Sequence, residues 1–223
     1  YSLVNLAQNG DNIAYSNKIY GGSQTLLVHV LKRFGIEGRV FDIDNLSSLE
    51  KIIDDKTKAI FFESLSNPQI AIADVETITN IAKKHKIVTI CDNTVATPIL
   101  FRPFDFGVDV SVHSLTKYIN GHGSGLGGAV IEREGLNELI KDNSRYPAFN
   151  TPDESYHGLI YANLPLPIFS IRILIEWLRN IGASLSPQNA WIHFQGLETL
   201  ELRIQKHSDS ALEIAKFLES HKK

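Results

Sequence analysis

The sequence predicts an α/β fold in which a mostly parallel sheet lies between helices. Short apolar runs alternate along the chain with segments of helical periodicity, which is the pattern of successive βαβ units. Hydrophobic residues make up 43% of the 223 residues, which is enough for a sizeable core. We therefore expect a globular chain organised around one sheet.

Six apolar runs are predicted as strands. Their length and their continuous apolar character are typical of strands buried on both faces of a parallel sheet. In chain order they are NIAYS at 12–16, GRVFDI at 38–43, KAIFFES at 58–64, IVTICDN at 87–93, VDVSVHS at 108–114 and LGGAVIE at 126–132.

Two of the helices between these strands have recognisable ends. Ser23 is a candidate N-cap for a helix over Gln24–Phe34, which Gly35 would close. Asp74 is a candidate N-cap for Val75–His85, and the basic last turn of that helix suits the negative end of its dipole.

In the last third of the chain, the sequence pattern changes from alternating strands and helices to an irregular connection followed by helices. Residues 143–167 read as an irregular connection, long enough to be functional or an insertion. Two helical stripes follow, one with apolar residues at 171, 174, 175, 178 and 181, the other at 197, 200, 204, 211, 215 and 218. We predict a large domain over 1–195 and, over 196–223, a helix leading into a further domain. Since no methionine opens the chain, we expect a fragment, with the large domain cut at its amino end.

The composition favours a small-molecule partner. A net charge of −3 and a pI near 6.3 give no basic surface for nucleic acid or for an anionic membrane. No apolar run approaches the length of a membrane span. The single cysteine, Cys91, cannot form an intrachain disulfide, and this favours the cytoplasm.

Polar side chains follow four of the predicted strands, at the edge where open α/β sheets bind ligands. They are Tyr20, Glu63 to Asn67, Asp92 to Thr94, and Ser114 to Lys117. A lysine beside hydroxyl groups can form a Schiff base with a carbonyl while the hydroxyls hold a phosphate, a combination that suggests pyridoxal phosphate. Asp92 could then balance the charge of a protonated pyridine ring. Taken singly, Lys117 reads as a surface residue and Asp92 as part of a strand-end turn.

Two other patterns are given structural interpretations. Gly123–Gly128 matches the dinucleotide fingerprint, but a predicted strand follows it where the fingerprint requires a helix. These glycines instead favour close passage of the backbone beside the lysine loop. Cys91, His113 and His122 follow no zinc-ligand spacing, so we expect no metal site.

Four segments together resemble the cysteine and methionine metabolism family of pyridoxal-phosphate enzymes. Their order and spacing match the family over essentially the whole chain. They are Tyr20-Gly21-Gly22, Glu63-Ser64-Leu65-Ser66-Asn67-Pro68, Asp92-Asn93-Thr94-Val95-Ala96-Thr97-Pro98 and Ser114-Leu115-Thr116-Lys117-Tyr118-Ile119-Asn120-Gly121-His122.

The resemblance implies an aspartate-aminotransferase-like fold and a set of roles. Lys117 would carry the cofactor covalently and shuttle protons, Asp92 would pair with the pyridine nitrogen, and Tyr20 would stack on the ring and act in catalysis. Ser114 and Thr116 would bind the phosphate.

Three more residues enter the implied cofactor site. Asn67 would lie near the phenolic oxygen of the cofactor, with Glu63 behind it. Thr94, which follows Asp92 closely in sequence, would be a further cofactor-binding residue. The family also has an arginine on a neighbouring subunit that reaches the phosphate, so the resemblance implies a homo-oligomer, a dimer of dimers, with shared sites. The alternative is that Arg102 or Arg133 of the same chain supplies this charge.

Residues 149–161 and 182–221 resemble the branch of the family that acts on O-acetylhomoserine. That branch performs a γ-replacement in which sulfide displaces acetate and homocysteine is formed, with a sulfide donor as second substrate. Two alternatives stay open: a cystathionine γ-synthase or γ-lyase, and an inactive scaffold or sulfur-carrier partner with the same fold.

Overall fold

The computed structural model describes residues 1–221, and their centre is a six-stranded sheet of order β2-β1-β3-β4-β5-β6. The first five strands along the chain are parallel, and the sixth pairs antiparallel with the fifth. The strands are β1 Asn12–Ser16, β2 Glu37–Phe41, β3 Thr57–Glu63, β4 Val88–Asp92, β5 Val110–Ser114 and β6 Gly128–Glu132. All six predicted strands and the mostly parallel sheet are confirmed.

Helices cover both faces of the sheet. Every residue of β1 and β3 is buried, as expected for central strands covered on both sides. The α-helices are α1 Gly21–Thr25, α2 Ser47–Ile52, α3 Val75–His85, α4 Thr97–Leu100, α5 Leu136–Ile140, α6 Pro147–Asn150, α7 Ile168–Arg172, α8 Arg179–Ile181, α9 Pro187–Glu198 and α10 Leu200–Ser220. Among the described residues, two apolar clusters, one on each face of the sheet, form most of the core, and a third, smaller cluster consists of Ile119, Leu200 and Ile204.

Two of the three predicted helix-end residues are confirmed, and the third is wrong. The Asp74 carboxylate accepts the Thr77 N–H at 3.1 Å, which confirms it as the N-cap of α3. After α1 the helical path continues through a π-helical turn, Leu26–Val30, and a 3₁₀ turn, Leu31–Phe34, and Gly35, with φ 75°, closes it as predicted. The assignment of Ser23 is wrong, because that helix already begins at Gly21 and Ser23 lies inside its first turn.

The connection over 143–167 is irregular, as predicted, yet much of it is buried. It consists of α6 and two short 3₁₀ turns, Glu154–Tyr156 and Tyr161–Asn163. Tyr146, Phe149 and Tyr161 are fully buried in the core beside the sheet. The segment therefore covers one face of the sheet.

The last two helices of the described residues, α9 and α10, follow one another directly, and Thr199 lies at the junction between them. The proposed boundary at 195 falls within α9, and the division into domains stays a prediction. Lys222 and Lys223, at the end of the predicted helical segment, lie outside the described residues. Within residues 1–221, no helix combines the length and the apolar character that crossing a membrane would require.

Candidate active site

A cleft of about 900 Å³ opens at the carboxyl edge of the sheet. The parallel strands β1, β3, β4 and β5 all end at this edge, so the loops that follow them meet there. The cleft is lined by seven of the eight predicted site residues, namely Tyr20, Glu63, Asn67, Asp92, Thr94, Ser114 and Lys117. The fold therefore brings together side chains that lie up to 97 positions apart, from Tyr20 to Lys117.

Asp92, at the end of β4, is held by Thr94. Its Oδ1 accepts the Thr94 N–H at 2.9 Å and the Thr94 hydroxyl at 2.5 Å. The Thr94 hydroxyl oxygen in turn accepts the Ser114 N–H at 2.8 Å, so the ends of β4 and β5 are tied side by side. Within residues 1–221, Oδ2 of Asp92 and Oγ of Ser114 have no hydrogen-bond partner. Both oxygens are available to a ligand in the cleft.

Glu63, at the end of β3, links the loops that follow β1 and β3. Its Oε1 accepts the Tyr20 N–H at 2.6 Å, and its Oε2 accepts the Asn67 N–H at 3.0 Å. Burial raises the pKa of the Glu63 carboxyl, although these two hydrogen bonds oppose the shift. The Glu63 carboxylate therefore holds the backbones of Tyr20 and Asn67 in place.

The Tyr20 ring stands at the entrance to the cleft, with 50% of the residue exposed. It precedes α1, and it packs over Gly22. A Cβ added to Gly22 would lie 2.7 Å from Cε1 of the Tyr20 ring, too close for a real contact. The glycine therefore leaves the space that the ring occupies.

Lys117 lies on a tight turn that follows β5. The Lys117 N–H bonds to the Ser114 carbonyl at 3.2 Å, and the Gly121 N–H bonds to the Lys117 carbonyl at 2.8 Å. The side chain is exposed toward the cleft, and no hydrogen bond or ion pair within residues 1–221 engages its Nζ. The amine is thus free to react with a ligand carbonyl.

Thr116 is the predicted residue that the structure places apart from the cleft lining. Its hydroxyl accepts the Gly127 N–H at 3.1 Å and donates to the Gly127 carbonyl at 3.3 Å. This pair closes the glycine-containing loop, which then runs into β6 as predicted. The dinucleotide interpretation is excluded by that strand.

Sequence reasoning missed Tyr118 and His207 as residues that line the cleft. Their rings meet edge to face with centroids 5.7 Å apart. Tyr118 adjoins the lysine and could have been inferred from it. His207 is on α10, and its place on a helical segment gave no indication that it faces this site.

The two arginines considered as phosphate partners lie elsewhere. Arg102 pairs with Asp105 at 3.1 Å on the exposed surface. Arg133 pairs with Asp109, which precedes β5, at 2.8 Å and hence at the opposite edge of the sheet. Among the described residues, the cleft lining contains Lys117 and His207 but no arginine.

The groups in the cleft fit pyridoxal phosphate. An aldehyde requires an amine, a protonated pyridine nitrogen requires a carboxylate, and a phosphate requires hydrogen-bond donors. Lys117 Nζ, Asp92 Oδ2 and Ser114 Oγ are three free groups of these kinds in one cleft. The ring of Tyr20 adds an aromatic face beside them.

Comparison with known proteins is consistent with this geometry. The family model described as "Cys/Met metabolism PLP-dependent enzyme" matches residues 1–223. An O-acetyl-L-homoserine sulfhydrylase of Corynebacterium glutamicum is 40% identical over 225 residues, covering 100% of this chain and 52% of the relative. This chain thus spans about half the length of the curated relatives it matches.

Solved structures agree in fold. One, assigned as an O-acetylhomoserine (thiol)-lyase from Campylobacter jejuni, has a TM-score of 0.98 and 70% identity, covering 99% of this chain and 54% of that one. In it a lysine carries a pyridoxyl monophosphate group. A cystathionine gamma-lyase from Lactobacillus plantarum, complexed with L-serine, has a TM-score of 0.77 and 32% identity over 99% of this chain and 49% of that one.

Proposed function

Since the chain belongs to the Cys/Met metabolism family of PLP-dependent enzymes, we propose that the whole protein converts O-acetyl-L-homoserine and sulfide into L-homocysteine and acetate. The observation that carries the proposal is the convergence of Lys117, Asp92 and Ser114 in one cleft. The specific reaction is supported by relatives named for it and by a solved structure that is 70% identical.

The cofactor would be held by residues on four loops. Lys117 would bond to it covalently, Asp92 would face its ring nitrogen, and Tyr20 would cover the ring. Ser114 would donate to the phosphate. Thr116 is proposed for the phosphate as well, and to reach it the hydroxyl would exchange its bonds to Gly127.

The remaining roles follow from the hydrogen bonds that hold the loops. Asn67 would reach the phenolic oxygen of the cofactor from a loop whose backbone is held by Glu63. Thr94 would keep the Asp92 carboxylate in one orientation through its two bonds to Oδ1. Glu63 and Thr94 therefore position other groups in this proposal.

When bound, pyridoxal phosphate stabilises negative charge at the carbons of an amino-acid substrate. The chain's own groups would move the protons: Lys117 Nζ, released when the substrate amine takes its place, would accept the α proton and then a β proton, and acetate would leave the γ carbon. Sulfide would then bond to the γ carbon, and Nζ would return one proton to the β carbon and one to the α carbon. Asp92 keeps the ring nitrogen protonated by its negative charge.

An assay of the full-length protein tests this proposal. O-acetylhomoserine with sulfide should yield homocysteine at a rate well above any turnover of cystathionine. Faster turnover of cystathionine would replace the proposed reaction with that of a γ-lyase, and faster formation of cystathionine from O-acetylhomoserine and cysteine would replace it with that of a γ-synthase. A protein that binds no cofactor and turns over neither substrate would instead be a scaffold.

We also propose that the protein is a homo-oligomer, a dimer of dimers, with sites shared between subunits. The support is the absence of an arginine from the cleft lining among residues 1–221. A buried dianionic phosphate without a strong cation costs several kcal/mol. Sedimentation with and without cofactor tests the point, because cofactor binding should stabilise the oligomer. A monomer that retains cofactor and turns over substrate would contradict it.

The cytoplasm is the proposed compartment. The single cysteine, Cys91, lies buried in β4, and burial raises the pKa of its thiol, so it behaves as an inert small side chain. A tagged copy found in a secreted fraction would contradict this proposal.

A further inference from the structure

We propose that Arg203, on α10, is a positioning residue that holds the Lys117 turn in its working conformation. Its Nη1 donates to the Tyr118 carbonyl at 2.7 Å, and its Nη2 donates to the Ile119 carbonyl at 3.2 Å. The inference rests on the proposed function of Lys117. Arg203 itself does not line the cleft.

The turn has carbonyl groups that only outside donors can satisfy. Within the turn, the carbonyls of Ser114, Leu115 and Lys117 accept from backbone N–H groups further along. The next carbonyls, at its carboxyl end, point out of the turn, as the last carbonyls of any helical segment do. Arg203 supplies donors to two of them, and its positive charge suits this end of the turn.

The Arg203 guanidinium also connects the Lys117 turn to α9 and α10. Its Nη2 donates to the Gly196 carbonyl in α9 at 2.7 Å, and its Nε donates to the Thr199 hydroxyl at 3.1 Å. The planar fork of arginine reaches all of these acceptors at once, which the single ammonium of a lysine does not. One side chain therefore joins α9, α10 and the residues next to Lys117.

Two glycines allow this close approach. A Cβ on Gly196 would lie 2.2 Å from the Ile119 carbonyl oxygen and 2.8 Å from Cα of Asn120, both backbone atoms. A Cβ on Gly121, whose φ is +79°, would lie 2.2 Å from Nη1 of Arg203. Larger residues at these positions would push the helices and the turn apart.

The hydrogen bonds of Arg203 restrict movement of the Lys117 turn. The backbone on the carboxyl side of Lys117 cannot shift without breaking hydrogen bonds to a charged donor, which are among the stronger kinds. Lys117 must present its amine to a bound aldehyde at a fixed distance from Asp92 and Ser114. Arg203 restricts the turn so that this geometry is already present before the cofactor arrives.

Three variants of the full-length protein test the inference. Arg203→Met removes the donors and keeps the side-chain bulk, and Arg203→Lys keeps only the charge. The matched control is Arg145→Met. Arg145 also donates to two main-chain carbonyls, those of Asp54 and Thr57, but at the amino end of β3.

The measurements are the dissociation constant of pyridoxal phosphate for the apoprotein and the pH at which the visible band of the bound cofactor changes. Arg203→Met should weaken cofactor binding by roughly tenfold and move that pH, and Arg203→Lys should do so to a smaller extent. Arg145→Met should lower the melting temperature and leave both cofactor measurements at their wild-type values.

Equal cofactor measurements in wild type and Arg203→Met would overturn the inference, and so would an equal change in Arg145→Met. If Arg203→Met does not fold, Gly196→Ala separates α9 from the turn and should give the same weakening, with wild-type values again overturning the inference. Failure of the wild-type protein to take up the cofactor would instead refute the proposed function.

Discussion

The Thr94 hydroxyl donates a 2.5 Å hydrogen bond to Oδ1 of Asp92. The Thr94 hydroxyl oxygen also accepts the Ser114 N–H from the end of the neighbouring strand, β5. One hydroxyl thus sets both the orientation of the carboxylate and the distance between the loops that follow β4 and β5. The proposed contacts to the ring nitrogen and to the phosphate depend on this single side chain.

Replacing Thr94 with valine should therefore affect two proposed contacts at once. The change preserves shape but leaves the Ser114 N–H without its partner, at a cost of about 1–2 kcal/mol in the free energy of unfolding. Cofactor affinity should fall as well. Thr94→Ser keeps the hydroxyl and serves as the control in denaturant unfolding and cofactor titration. Equal behaviour of the valine and serine variants would refute this role.

Asp92→Asn should lower turnover far more than stability. An amide cannot balance the charge of a protonated pyridine, and loss of such an electrostatic partner typically costs about 10²–10³ in rate. Steady-state kinetics and thermal melting of the same preparation separate the two effects. Asp44→Asn, at an exposed ion pair with Lys18, is the control. Near-normal turnover by Asp92→Asn would remove Asp92 from its proposed role.

Borohydride reduction of the cofactor-loaded protein should attach the pyridoxyl group to Lys117. Its amine has no partner within residues 1–221 and faces the cleft with Asp92 and Ser114. Peptide mapping locates the group, and Lys117→Ala should abolish the labelling. Lys206→Ala, at an exposed position on α10, should leave it unchanged. A pyridoxyl group on another lysine would refute the assignment.

Tyr20→Phe should retain most of the cofactor affinity, because stacking uses the ring and not the hydroxyl. Tyr20→Ala should weaken cofactor binding by about two- to tenfold. If the phenol assists departure of the leaving group, Tyr20→Phe should also slow turnover. Equilibrium titration of the three proteins gives the comparison, and identical affinities would show that Tyr20 does not stack.

Acid should destabilise the protein partly through His113. Burial lowers the pKa of this imidazole, although the charge of Asp92 opposes the shift. Below pH 6.5, the ordinary histidine value, the unfolded chain binds the proton first. The free energy of unfolding therefore falls as the pH drops from 7 toward the lowered folded-state pKa, and then levels off.

Urea unfolding across this pH range provides the measurement. His113→Gln cannot titrate and should give a flatter pH dependence than the wild type. The matched variant is His29→Gln, at an exposed position, and it should keep the wild-type slope. A slope unchanged by His113→Gln would show that another group carries the effect.

Much of the site could be predicted from the sequence because its residues follow strand ends. A buried parallel strand is a local pattern of apolar side chains, and all six were found within a few residues of their observed limits. Once the strands are parallel, their carboxyl ends share one edge, so Tyr20, Asp92 and Lys117 had to converge. No information on packing was needed for that step.

Contacts between segments far apart in sequence were beyond such reasoning. Arg203 lies 84 positions from Ile119, and its hydrogen bonds depend on how α10 packs against the lysine turn. Likewise, His207 reaches the cleft only through the direction of that helix. A helical stripe indicates which face is apolar, but it does not indicate which loop that face will meet.

The sequence by itself determined the sheet, the edge at which the chemistry lies and the residue types that gather there, because each is a property of a short stretch of chain. The tertiary structure decided which of two neighbouring hydroxyls faces the cleft. Ser114 does, whereas Thr116 turns away to Gly127. The physical reason is that a side chain takes its direction from the backbone turn and from partners that only folding brings within hydrogen-bond distance.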